Sequence, residues 1–148
     1  MNAMKKPSHY LIFAGAIPFV LSAVFITIGI DAIPVLGNTT DMLSIYGLVI
    51  ASFMAGAHWG NHLSLADDNR WAVKLPIFSN IIALALWLGF LTLSSAGFIW
   101  LLVAGFISLL MIDYGLHQAH IINNDYFRVR RYVTIIVVVA LIIAGVQL

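Results

Sequence analysis

Apolar positions gather in five long runs divided by short polar stretches, at about residues 10–30, 42–65, 76–93, 97–112 and 130–147. An α-helix rises about 1.5 Å per residue, so roughly 20 residues cross a hydrocarbon core about 30 Å thick. Each run predicts one such crossing. The third and fourth are nearly continuous, and as one helix Pro76 to Ile112 would reach roughly 55 Å, far beyond the core. The small polar break Ser94-Ser95-Ala96-Gly97 is therefore read as a tight turn between antiparallel helices. The fifth run is thin. Arg130 and Arg131 are expected to snorkel, carrying that helix into the headgroups.

Composition fixes the class. The chain is 62% hydrophobic and 9% charged, against about 25% charged in an ordinary soluble domain. So much apolar surface belongs in lipid, and the expectation is an all-α, integral membrane helical bundle in one domain covering 1–148. A net charge of +1 with no basic stripe gives nothing to neutralise phosphates, which argues against a nucleic-acid partner. There is no cysteine, hence no disulfide, thiolate nucleophile or Cys-based metal site.

Charge then sets the expected orientation. Lys5 and Lys6 precede the first span, Arg70 and Lys74 separate the second from the third, and Arg128, Arg130 and Arg131 stand between the fourth span and the apolar part of the fifth, which begins at about Tyr132. The alternate loops, 31–41 and 94–97, carry no Lys or Arg, nor does the C-terminus. By the positive-inside rule the N-terminus is expected inside and the C-terminus outside. Lys5, Lys6 and the apolar run after them imitate a signal peptide. The run is longer than an ordinary signal core, however, and no clean small-x-small site follows, so an uncleaved first span is expected. These readings place the chain in a bacterial inner membrane, with Arg128, Arg130 and Arg131 on lipid headgroups.

The second run has a packing signature. Gly47, Ala51 and Ala55 recur every four residues, and beside them so do Ser52, Gly56 and Gly60. Helices in lipid associate through close backbone approach, so two small-residue stripes predict a central helix touching neighbours on two sides. Tyr10, Trp71, Tyr114, Tyr126 and Tyr132 are expected in the inner aromatic belt, Tyr46 and Trp100 in the outer one. Trp59 is expected deeper in the bundle. Asn80 is positioned to hydrogen-bond a neighbouring helix.

Candidate chemistry lies in the histidines. His58 and His62 end the second run one turn apart; Asp113, His117 and His120 end the fourth on one helical face if that helix continues. Paired imidazoles opposite a second pair and a carboxylate have the form of a bundle metal site. The same five residues would equally serve a haem or a quinone. The plainer reading makes them interfacial side chains. The chain contains no Glu, so the metalloprotease helix is excluded, and no catalytic triad order or phosphate loop occurs.

The segment Tyr46-Gly47 … Ser52-Phe53-Met54-Ala55-Gly56-Ala57-His58-Trp59-Gly60 resembles the signature of a family of small bacterial membrane proteins. That family is a domain of unknown function, shared with a mitochondrial multi-span protein of animals. Gly15-Ala16-Ile17-Pro18-Phe19, Asp113 and Tyr126-Phe127-Arg128-Val129-Arg130 extend the likeness over nearly the whole chain. The resemblance implies a polytopic membrane module and supplies no catalytic residues. The functional expectation is a non-enzymatic scaffold or accessory subunit, in a membrane protein complex or homo-oligomer. The alternative is a metal-, haem- or quinone-binding redox protein, and a small transporter ranks behind both.

Overall fold

The structure, a computed structural model, describes the backbone from residue 6 and side chains from residue 9 onward. Lys5 and the side chain of Lys6 lie outside the described residues. The elements are α1 (Lys6–Ala14), α2 (Ile17–Thr27), β1 (Ala32–Ile33), β2 (Gly37–Asn38), α3 (Thr39–Leu63), α4 (Arg70–Thr92), α5 (Ser95–Gln118) and α6 (Asn124–Gln147). Five helical segments, His9–Thr27 and the four long helices, are long and apolar enough to cross a membrane. The protein is an all-α, multi-pass membrane bundle.

Local chemistry sets where the helices start. Asn38, Asn69, Ser94 and Asn123 cap α3, α4, α5 and α6, each side chain accepting a backbone N–H of the first turn. The helices therefore begin before the apolar runs do: α4 starts at Arg70 rather than Pro76, and α6 at Asn124 rather than Arg130. At its far end α5 runs on to Gln118 and closes in a Schellman motif. His120 takes φ +57°, its N–H donates to the carbonyl of His117, and Ile121 N–H donates to Leu116.

The first span, expected over about 10–30, is divided between α1 and α2. Pro18 has no N–H to offer Ala14, so the ladder fails and α1 gives way to α2 around Gly15. The Tyr46 hydroxyl closes the gap by donating to the Gly15 carbonyl at 3.0 Å. The Tyr46 ring also meets Phe19 edge-on, with centroids 5.1 Å apart. Tyr46 thus braces the break instead of joining the outer belt.

A small hairpin joins α2 to α3, pairing Ala32 with Asn38 and Ile33 with Gly37. Its turn places Pro34 before Val35, which adopts φ +74° and is fully exposed.

α5 touches α3, α4 and α6, while α3 touches α2, α4 and α5. The centre is therefore shared between α3 and α5. Close approach is made at glycines on both. A Cβ on Gly47 would stand 2.6 Å from Leu102, and one on Gly105 3.1 Å from Leu86. Gly115 leaves room for the Trp71 ring, where a Cβ would approach to 2.5 Å. The main core lies around Phe19, Leu43, Phe98, Leu102, Phe106 and Leu141; a smaller cluster of Leu75, Ile112 and Leu116 underlies the ends carrying the basic residues.

Candidate functional site

Of the two stripes expected on α3, Gly47, Ala51 and Ala55 face inward and are buried. Ser52, Gly56 and Gly60 are exposed, and a Cβ on Gly56 or Gly60 would meet nothing within 4 Å. The second stripe therefore touches no neighbouring helix among the described residues. The difference is geometric: α2, α4 and α5 occupy the flanks of α3 and leave this strip uncovered.

The buried stripe ends in chemistry. His58 lies one turn beyond Met54 and Ala55, five residues before the end of α3. Asp113 is five residues before the end of α5, and Arg130 is six residues after the start of α6. At about 1.5 Å per residue, all three stand roughly 8–9 Å inside the helix ends. They meet there. His58 Nε2 donates to Asp113 Oδ1 at 2.7 Å; Arg130 Nε and Nη2 donate to Oδ2 at 2.9 and 2.8 Å. Arg130 Nη1 reaches Met54 Sδ at 3.2 Å. The residues are 2%, 1% and 7% exposed, respectively.

One carboxylate thus holds three helices through both oxygens, in a place where an unpaired charge is costly. The charges of Asp113 and Arg130 cancel. The Asp113 oxygens are acceptors, so the His58 nitrogen facing them, Nε2, carries a proton. His58 Nδ1 is buried and has no partner among the described residues, and neither has the buried Thr134 Oγ1 on the next turn of α6. A guanidinium has five N–H donors, and only three of those on Arg130 are engaged by described residues.

Arg130 corrects the expectation that it lies among headgroups. Arg128 and Arg131 are exposed, whereas Arg130 turns inward with Phe127, Val133 and Thr134 on the buried face of α6. Of the five residues expected as one metal- or cofactor-binding cluster, only His58 and Asp113 meet. His62 lies edge-on to Trp59, with centroids 5.7 Å apart, and His117 stacks on Phe127 at 4.7 Å. His120 is exposed in the turn that closes α5. Among the described residues no group of three or more His, Asp or Glu side chains is placed to hold a metal ion. Trp59 is half exposed rather than deep in the bundle, and Asn80 is exposed on α4, away from the face that helix buries against the described residues.

Two adjoining cavities reach the triad. A larger one of about 320 Å³ lies between α1, α3 and α6, with Arg130 and Thr134 on its wall. A smaller one of about 180 Å³ brings in Ala57, His58 and Tyr126. Ile12, Phe53, Met54 and Arg130 line both. At the rim Leu11 is 72% and Phe53 75% exposed, so this side of the bundle opens toward lipid.

A polytopic helical membrane protein, pinned at one end by a His–Asp–Arg triad, is the class that fold and site define. The chain belongs to a protein family of unknown function, DUF3429, whose model matches residues 4–146. No curated protein and no solved structure matches it.

Proposed function

We propose that the protein is a non-enzymatic accessory or scaffold protein of a bacterial inner membrane, acting as a dimer formed through α4. The observation behind this reading is Asn80. The middle of α4, Arg70–Thr92, is residue 81, so this amide sits at mid-membrane depth on an exposed face. Apolar exposure on a membrane helix means only lipid; an exposed amide there has no solvent to bond. A carboxamide both donates and accepts, so it pairs with its own copy across a two-fold axis.

Its surroundings fit such a pairing. Val73, Ile77, Asn80, Leu84, Trp87 and Leu91 follow one another at alternating steps of four and three, and all are exposed. They lie opposite the stripe of Ala72, Leu75, Ser79, Leu86 and Gly89 that α4 buries against the bundle. This is the spacing of a two-helix seam, and one Asn within such a seam fixes register and partner number. An interhelical hydrogen bond in a membrane contributes about 0.6–2 kcal/mol.

The chain has no cysteine, so single-cysteine variants report cleanly. Oxidative crosslinking in native membranes is expected to give dimers with cysteine at 77, 80 or 84, and little product at 78 or 81. Uniformly weak crosslinking along α4 would remove the reading. Adducts only with a different protein would replace the second copy by another subunit.

A further inference from the structure

We propose that the cavities beside the triad bind the head of a lipid-soluble quinol, with its tail directed into the bilayer. No residue of α4 lines these cavities, and their walls carry unfilled hydrogen-bonding capacity. Among the described residues His58 Nδ1 and Thr134 Oγ1 are buried without partners, their residues line the two cavities, and Arg130, which lines both, has N–H groups to spare. Buried polar groups are satisfied in the great majority of native structures, so two such atoms on either side of the Arg130 guanidinium point to an absent partner.

The chemistry of that partner can be narrowed. Asp113 and Arg130 form an ion pair, and a neutral His58 that donates from Nε2 offers Nδ1 as an acceptor, so the site suits a neutral head better than a phosphate or carboxylate. It calls for a neutral head carrying one O–H donor and, elsewhere on the head, an acceptor. A quinol supplies both. One hydroxyl donates to His58 Nδ1 while the other oxygen accepts from Arg130 or Thr134. Phe53 and Tyr126 supply aromatic walls for a flat ring, and the combined space, about 320 and 180 Å³, is of the size that holds small ligands. The exposed rim at Leu11 and Phe53 gives entry from the lipid side rather than from water.

The test uses the full chain in lipid nanodiscs, with decylubiquinol kept reduced as ligand and decylubiquinone, monoolein and phosphatidylglycerol as comparisons. Saturable binding of the quinol at one per chain is expected. The quinone, which lacks the O–H, is expected to bind roughly 2- to 10-fold more weakly, the effect of one hydrogen bond. Thr134→Val is expected to weaken quinol binding by a similar roughly 2- to 10-fold. Ala57→Phe, which fills the smaller cavity and leaves the triad untouched, is expected to abolish it without lowering the melting temperature. Non-saturable partitioning overturns the proposal. So does quinone binding as tight as quinol, displacement by monoolein or phosphatidylglycerol at equal concentration, or binding unchanged in Ala57→Phe. His58→Asn alone is a weaker test because it also cuts the bond to Asp113, which is why the cavity-filling variant carries the decision.

Discussion

Replacing Asp113 by Asn keeps the shape of the triad and deletes its only negative charge. Arg130, 7% exposed, then holds a cation inside the bundle with no counter-charge, and His58 keeps at most a neutral partner. At an effective dielectric of about 20, opposite charges about 4 Å apart attract by about 4 kcal/mol. Removing one member of a buried pair generally destabilises by about 3–5 kcal/mol, because the remaining charge stays desolvated. We expect that loss for Asp113→Asn, and a loss of the same order for Arg130→Gln. The double variant exchanges the ion pair for an amide pair of similar volume. It is expected to be more stable than either single variant, with a coupling energy of roughly 2–3 kcal/mol. The assay is reversible unfolding in mixed micelles by increasing sodium dodecyl sulfate, followed through the four tryptophans and far-UV circular dichroism. If each single change costs under about 1 kcal/mol, or the two losses simply add, the triad is neither desolvated nor coupled and its account as a helix clamp fails.

Three further outcomes follow from the same geometry. Gly47→Leu must push Leu102 aside, since even a Cβ would stand 2.6 Å from it; a loss of about 1–3 kcal/mol in the same unfolding assay is expected, while Gly56→Leu, facing open space, should cost under about 0.5 kcal/mol. Val35→Gly relieves a β-branched residue held at φ +74°. Left-handed backbone costs a non-glycine residue about 1–2 kcal/mol, partly offset by the entropy of glycine, so a small rise in melting temperature is expected and a fall would contradict the turn geometry. For topology, a phosphatase fused after Leu148 should be active in the periplasm and one inserted at Asp67 inactive; the reverse pattern would invert the bundle.

Most of the fold was legible because a bilayer leaves a chain few choices. Five apolar runs became five helical crossings, and the chain reverses at Leu93–Ser94, with Ser94 capping α5 and Ser95 to Gly97 opening that helix. What hydropathy could not give was the outer limit of each helix. Arg70 to Leu75 and Asn124 to Val129 are polar or mixed in character, yet an Asn cap and a helix already under way carry the backbone through them. The break at Gly15 was visible in Pro18, but its repair by Tyr46 was not, because that contact joins residues thirty-one apart in sequence.

The candidate site was half legible, and Arg130 shows why. Three arginines within four residues look like one headgroup-binding cluster, and the positive-inside rule uses them only as a group. Helical phase separates them. Phe127, Arg130, Val133, Thr134, Val137, Ala140, Leu141 and Ala144 recur at steps of three and four and form the face that α6 buries. Arg130 is in phase with that stripe; Arg128 and Arg131 are out of phase and exposed. Asp113 gives the second clue. A carboxylate at the end of a membrane span needs a counter-ion, and an arginine on a buried helix face has no other way to remain charged. Together the two residues specify each other, whereas histidine spacing alone gathered His62, His117 and His120 into a cluster that the structure does not form. Helix ends collect histidines for interfacial reasons, but an aspartate and an arginine buried within the same bundle have to meet.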